Sequence, residues 1–247
     1  MLFGWGRAIL LQLAHPLIAA GVHEHSSFRS SPLTAVSRLR HTVHAMLSLT
    51  FGTDARREAT LEGIRTIHRR VNGQLPETVG IYPRGTAYSA ERPELLLWVH
   101  ATLLESILLV HDIVKSPMTP AERDAYCVEA APIAVALGVS GADVPRRWID
   151  IQQHLDATYA SGAIAVGTQG RELARALVGA PALRLLPFAG LVHRTITVGL
   201  LPAHVRDLYG LPWSPRDQRR LERLLPRLRT VRNWTPDALA LWSEARP

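Results

Sequence analysis

Apolar side chains recur every three or four residues along most of the chain, which is the spacing of one buried face of an α-helix. Two neighbouring segments show this most clearly, with apolar residues at Val36, Leu39, Val43 and Leu47 and then at Leu61, Ile64 and Val71. The strict alternation of apolar and polar residues that marks a half-buried strand is nearly absent. The pattern therefore predicts an all-α fold.

Prolines, glycines and capping residues set the ends of the predicted helices. In chain order these helices occupy residues 9–22 with a kink or end near Pro16, 32–51, 53–71, 93–114, 119–137, a segment after Pro145, a segment after Gly170, 183–200, 202–209, 214–229 and a short segment after Thr235. Residues 74–90 are rich in proline and glycine and form an irregular loop. The longest helix, Pro93 to Val114, would span about 33 Å and is expected to be the central buried helix.

Nothing along the 247 residues divides them into separate domains, since the sequence has no internal repeat, no low-complexity tract and no change of composition. A hydrophobic content of 47% is enough for one large core. We expect a single multi-helix domain over residues 1–247, in which residues 214–247 form a basic C-terminal helix and tail.

The net charge of +7 rests on 28 basic residues, and Lys115 is the only lysine among them. The arginines are spread along the chain without the aromatic-interleaved motif or zinc finger of a nucleic-acid-binding protein, so we expect no nucleic-acid partner. A solvated basic face is the simplest interpretation, and peripheral contact with an anionic membrane surface stays open beside it. The sequence leaves the oligomeric state open.

Cys127 is the only cysteine, which excludes an intrachain disulfide and a zinc site built on cysteines. Residues 9–22 are apolar, but His15-Pro16 interrupts them and they are shorter than the ~20 residues that cross a bilayer. A convincing small-residue cleavage site of a signal peptide does not follow them. We therefore expect a buried N-terminal helix in a cytoplasmic protein.

The central helix carries a histidine in apolar surroundings. The helical neighbours of His100 are all leucines, at Leu96, Leu97, Leu103 and Leu104. A buried imidazole without a partner costs a few kcal/mol, and burial favours the neutral form that binds metals. Two alternatives follow: a core histidine that is hydrogen-bonded to a backbone carbonyl, or an axial ligand of a haem.

Several familiar active sites lack their required spacing. The chain has no Glu-x-x-His pair, no His-Glu-x-x-His helix, no Gly-x-Ser-x-Gly elbow and no phosphate-binding P-loop. Arg65 and His68 share the apolar face of their helix, where an arginine needs an anion. A haem propionate or an oxygen-derived anion would serve, and so would a carboxylate of another helix, which the sequence offers at Glu94, Glu105, Asp112 and Glu129.

An ordered set of motifs runs through the chain. It comprises residues 12–22 with His25-Ser26, residues 64–68 with Val71 and Gly73, Tyr88-x-Ala90 leading into residues 93–100, Tyr126-x-x-Glu129, and residues 199–202 with 206–213. Together these motifs resemble the latex-clearing rubber oxygenase family, which includes the oxygenase that cleaves the farnesyl chain in mycophenolic acid biosynthesis. The resemblance covers roughly residues 4–213.

The resemblance implies an all-helical protein that binds haem b through one axial histidine, which His100 matches. It implies dioxygen as co-substrate and makes Arg65 and His68 distal residues that polarise oxygen or orient substrate. His15 either contacts the haem or packs at the Pro16 kink. The chain departs from the rubber oxygenases at His68 and Arg69, where those enzymes have lysine and threonine.

We therefore expect a haem-dependent oxygenase that oxidises a hydrophobic, isoprenoid small molecule by cleavage of a carbon–carbon double bond or a related reaction. Two alternatives stay open. One is a non-catalytic haem or gas-binding protein, and the other is a haem-free helical protein that binds lipid or a partner.

Overall fold

A computed structural model describes residues 2–25, 32–179 and 187–235 of the chain. Its helices are α1 (Leu2–Leu13), α2 (Pro16–His25), α3 (Pro32–Phe51), α4 (Asp54–His68), α5 (Pro93–Val114), α6 (Pro120–Leu137), α7 (Trp148–Ala160), α8 (Thr168–Gly179), α9 (Pro187–Gly199), α10 (Ala203–Tyr209) and α11 (Pro215–Trp234). Two three-residue strands, β1 (Asn72–Gln74) and β2 (Ala87–Ser89), pair antiparallel between α4 and α5. The predicted all-α fold is confirmed.

Most predicted helix ends lie close to the observed ones because capping chemistry sets them locally. The side chain of Thr119 caps α6 and that of Ser214 caps α11, each in a reciprocal capping box with the third helical residue. The chain breaks between α1 and α2 at Pro16, as predicted. The predicted helix starts at residue 183 and after Thr235 fall at positions outside the described residues.

The β1–β2 hairpin was not predicted. Strands of three residues are too short for a period-two pattern to stand out, so residues 74–90 were predicted as an irregular loop that follows a helix end at Asn72-Gly73. The hairpin also explains why α4 ends at His68, about one turn before the predicted end. Gly73 allows the aromatic ring of Tyr88 to lie directly against the backbone of β1, since a Cβ there would come within 2.5 Å of the Tyr88 hydroxyl oxygen.

The core is built around α5, whose observed bounds equal the predicted ones. Trp98, Ala101 and Leu104 of this helix lie in one buried cluster with residues of α1 and α7. α5 is the one helix of the described residues that is long and apolar enough to cross a membrane, yet most of it is buried inside the protein. A buried core helix passes the same test of length and composition, so α5 alone is weak evidence for a membrane span.

α1 runs antiparallel along α5 at close range. Near its end the backbone carbonyl of Leu11 accepts a hydrogen bond of 3.2 Å from Nε1 of Trp98. Near its start, a Cβ on Gly4 would lie 2.9 Å from a methyl group of Val110. The small residue thus permits the approach of the two helices, and α5 is held along much of its length.

A buried ion pair also holds α1 on α5. The guanidinium of Arg7, which is 2% exposed, donates to Oε1 of Glu105 at 2.7 Å and to Oγ of Ser106 at 2.7 Å. Its Nε donates to the carbonyl of Leu200 at 2.7 Å, just beyond the end of α9. Arg7 therefore links α1 to α5 and to the end of α9.

Candidate functional site

His100 lies in the middle of α5 and is 7% exposed. One turn before it, Leu96 packs into a buried cluster with α6, and one turn after it, Leu104 packs into the cluster shared with α1 and α7. Burial is the main reason that the pKa of His100 falls to about 4, and the charge of His154 lowers it further. The imidazole is therefore neutral at pH 7, with a free lone pair.

Nε2 of His100 is buried and has no hydrogen-bond partner among the described residues. Buried polar atoms in folded proteins are nearly always satisfied, so an unpartnered one needs an explanation. The core-histidine alternative needs a backbone carbonyl at one of the two ring nitrogens, and Nε2 has none. The atom is instead available to a ligand that the polypeptide does not supply, such as the iron of a cofactor.

A second imidazole with a buried nitrogen belongs to His154 of α7, which is itself partly buried and was not predicted as a site residue. Its Nε2 is also buried without a partner, and burial lowers its pKa. The signal in the sequence was present, because His154 stands between Ile151 and Leu155, which are both buried on the face of α7 that packs against α5. That this face packs against α5 near His100 is a property of the tertiary fold, on which sequence spacing carries no information.

Arg65 of α4 reaches the C-terminal end of α6. Its Nε donates to the carbonyl of Ala136 at 2.9 Å, and its Nη1 contacts the carboxylates of Glu58 at 2.9 Å and Glu62 at 3.4 Å. The hydrogen bond that it donates to Glu58 is the first cause of its raised pKa. The side chain is 31% exposed, so these ion pairs are partly screened by solvent.

The carboxylates at Arg65 come from its own helix and not from the four positions considered from the sequence. Three of those four have other partners in the structure: Glu94 pairs with Arg92, Glu105 with Arg7, and Asp112 with Arg123. The last turn of α6 nevertheless connects Arg65 to α5, since Ala134 packs against Leu96 one turn before His100.

His68 is half-buried at the end of α4, and burial lowers its pKa while the charge of Glu91 opposes the shift. Glu91 lies two residues before the start of α5, so His68 is near the N-terminal end of that helix. Arg65 and His68 thus flank the half of α5 that leads to His100. Neither makes a hydrogen bond to His100 within the described residues.

His15 is the buried residue at the break between α1 and α2. Its Nδ1 accepts a hydrogen bond of 3.3 Å from the backbone N–H of Leu17, which leaves Nε2 to donate to the hydroxyl oxygen of Tyr82 at 3.2 Å. Burial lowers its pKa to about 4. Both ring nitrogens therefore stabilise the kink, and contact of His15 with a haem stays a prediction.

Across the described ranges, no three His, Cys, Asp or Glu side chains lie close enough together to hold a metal ion by themselves. A haem does not need such a group, because its porphyrin supplies four nitrogens and the protein adds one imidazole. His100 is the described residue whose burial and unpartnered Nε2 fit that requirement best.

The chain is similar to one protein family and to two proteins of mycobacteria. A family model described as "ER-bound oxygenase mpaB/B'/Rubber oxygenase, catalytic domain" matches residues 1–230. Two relatives, uncharacterized proteins of Mycobacterium bovis and Mycobacterium tuberculosis, are each 26% identical over 240 residues. Each alignment covers 92% of this chain and 87% of the relative. No solved structure matches.

Proposed function

This chain belongs to the family of mpaB and rubber oxygenase catalytic domains, and we propose that it is a haem-dependent oxygenase that cleaves a carbon–carbon double bond in a hydrophobic, isoprenoid molecule. Membership supports an oxygenase-type catalytic domain that uses dioxygen. The single observation that carries the cofactor assignment is the buried, unpartnered Nε2 of His100.

His100 fits the role of the protein ligand. Its pKa of about 4 keeps the ring neutral at physiological pH, and a neutral imidazole is the form that binds iron. A haem bound there would supply the redox-active iron that activates dioxygen. The neighbouring leucines Leu96, Leu104 and Leu108 are buried and would exclude water from the reaction.

Arg65 is the proposed cationic partner on α4. Its contacts in the described residues use Nε and Nη1, which leaves Nη2 to donate to a haem propionate or to an anion derived from oxygen. The bond to the Ala136 carbonyl fixes the guanidinium near the α5–α6 interface, so little reorganisation is needed when an anion binds. His68, neutral through burial, is proposed to orient substrate beside it.

Cleavage of a double bond by dioxygen needs no outside reductant. The alkene carbon–carbon bonds break, the oxygen–oxygen bond breaks, and each former alkene carbon receives one oxygen atom as a carbonyl. Incubation of the haem-loaded protein with an isoprenoid under ¹⁸O₂ should therefore give two carbonyl products with one labelled atom each. Haem binding without products would instead indicate a non-catalytic haem or gas-binding protein, and failure to bind haem would leave the haem-free alternative.

We expect Arg65→Gln to keep haem binding and to lower turnover about 100-fold, the usual effect of removing one donor from a developing negative charge. Carbonyl product per bound haem, measured by mass spectrometry, tests this. Arg69→Gln is the matched control, because Arg69 shares Glu62 with Arg65 but is more exposed. Turnover of Arg65→Gln at the wild-type rate would remove Arg65 from the site.

A further inference from the structure

We propose that the outer face of α11 binds the surface of an anionic phospholipid membrane. This face consists of Arg216, Arg219, Arg223, Arg227, Val231 and Trp234. The sequence left peripheral membrane contact open beside a solvated basic face, and the arrangement of α11 supports the membrane. The inference concerns a helix outside the candidate site and does not depend on haem binding.

The inner face of α11 is held against the rest of the protein. Its four leucines are buried or half-buried, and the helix packs against α5 and α9. Arg229 fixes it to the end of α5, with hydrogen bonds of 2.8 Å to the carbonyl of Asp112 and 3.0 Å to that of Ile113. The opposite face of α11 is therefore directed towards solvent.

A row of arginines runs along this outer face. They stand three or four residues apart, which places them on one side of a helix, and all are exposed: Arg216, Arg219, Arg223 and Arg227. None of the four forms an ion pair with a carboxylate of the described residues.

The two carboxylates of α11 do not neutralise the row. Asp217 pairs with Arg220, which lies outside the row. Glu222 accepts a hydrogen bond from the side chain of Gln218. The helix has seven arginines against these two acidic residues, a net charge of +5. The outer face therefore presents positive charge that calls for an external anion.

The same face ends in exposed apolar side chains. Trp234 lies about two helical turns beyond Arg227 and is 84% exposed, and Val231 beside it is 63% exposed. Pro226 lies within α11, and the row is exposed on both sides of it. A face that only keeps a protein soluble gains nothing from an exposed tryptophan. An indole ring is instead favoured at the boundary between lipid headgroups and acyl chains.

An anionic membrane surface matches this face in charge, length and polarity. From Arg216 to Trp234 the helix extends about 27 Å, and a helix of this kind lies flat in the membrane interface. Lipid phosphates offer acceptors along its whole length, and the planar guanidinium binds phosphate through two parallel hydrogen bonds. A nucleic-acid duplex would match the arginines, but it offers no apolar layer for Val231 and Trp234.

The test is cosedimentation of the full-length protein with large unilamellar vesicles. One set consists of phosphatidylcholine, and the other of phosphatidylcholine mixed with phosphatidylglycerol. We expect the wild type to bind the anionic vesicles at least about tenfold more strongly than the neutral ones. High salt should remove this preference, because it screens charges at an exposed surface.

Two pairs of variants locate the contact. Replacing the four arginines of the row by glutamine should weaken binding to the anionic vesicles at least about tenfold. The matched control has the same net charge and should bind like the wild type, and it replaces Arg56, Arg84, Arg146 and Arg171, which are exposed elsewhere, by glutamine. Trp234→Ala should weaken binding about fivefold. Ile81→Ala removes another exposed apolar side chain and should leave binding unchanged.

Three results would overturn the inference. They are equal binding of the wild type to both vesicle types or to neither, unchanged binding after replacement of the row, and an equal loss in the matched control. Binding to duplex DNA without binding to vesicles would point to a nucleic-acid partner and would also overturn it. All replaced side chains are exposed, so the variants should unfold at the urea concentration of the wild type. Hemin titration is a separate measurement, so either proposal can fail without the other.

Discussion

His100→Leu is expected to abolish haem binding while it stabilises the haem-free protein. The substitution removes a buried Nε2 that has no partner and places an apolar side chain among leucines. Removal of an unsatisfied buried polar group should raise the free energy of unfolding by about 1–3 kcal/mol. Urea unfolding of the two haem-free proteins measures this change, and hemin titration measures the loss of binding.

The opposite signs of these two effects separate a ligand from an ordinary core histidine. A core histidine with a hydrogen bond would lose stability when it becomes leucine, and haem would be irrelevant to it. His111→Leu provides the control, because that ring lies beside Asp112 and outside the proposed site. Unchanged haem binding in His100→Leu would show that the ligand assignment is wrong.

The same variant should change the pH dependence of stability. In the wild type the pKa of His100 is about 4 when folded, against 6.5 in the unfolded chain. Between these values the unfolded chain binds more protons, so the wild type loses stability as the pH falls from 6.5 to 4. His100→Leu should show a shallower loss over this range. It should not become flat, because His15 carries a similar pKa shift.

Arg7→Met is expected to lower the free energy of unfolding by about 3 kcal/mol. It leaves the carboxylate of Glu105, whose side chain is 25% exposed, without its cation, and it leaves the carbonyl of Leu200 without its donor. Urea denaturation tests the value. The partial exposure of Glu105 places the expected loss at the lower end of the range for a broken buried pair.

The double variant Arg7→Met with Glu105→Leu provides the control for this prediction. Replacing both members of a buried ion pair by apolar residues restores much of the stability that one replacement removes. We expect the double variant to be more stable than Arg7→Met by at least about 1 kcal/mol. A double variant as unstable as the single one would show that packing of the arginine stem, and not the unpaired carboxylate, dominates the effect.

Local chemistry explains why much of the fold was predictable. Pro93 and the apolar run after it define α5, and the Thr119 and Ser214 capping boxes set the starts of two more helices. These signals act within one or two helical turns, so they can be read without knowledge of the tertiary fold. The β1–β2 hairpin was not predicted because its three-residue strands are too short to show an alternation of apolar and polar residues.

The hydrogen-bond and ion-pair partners of buried side chains were less predictable than their burial. Periodicity placed His100 in the core, but it could not show whether Nε2 meets a carbonyl or a cofactor. The ion pair of Arg7 with Glu105 joins residues 98 positions apart, and sequence spacing carries no information on such a contact. For Arg65, one of the two carboxylate partners, Glu62, lies at the i−3 position and could have been predicted from the helix alone.

The position of His154 was unpredictable for the same reason. Its place on the buried face of α7 can be read from Ile151 and Leu155, but the pairing of α7 with α5 is a property of the tertiary fold. The family resemblance selected His100 and not His154, because the motifs that carry it end and begin on either side of α7.

The proposed function requires the wild-type chain to bind haem through an imidazole of its own. Titration of the purified, haem-free wild type with hemin, followed by Soret absorbance, measures this binding. We expect a shifted Soret band that saturates at one haem per chain. A protein that stays colourless after desalting, or a band identical to that of free hemin, would contradict it.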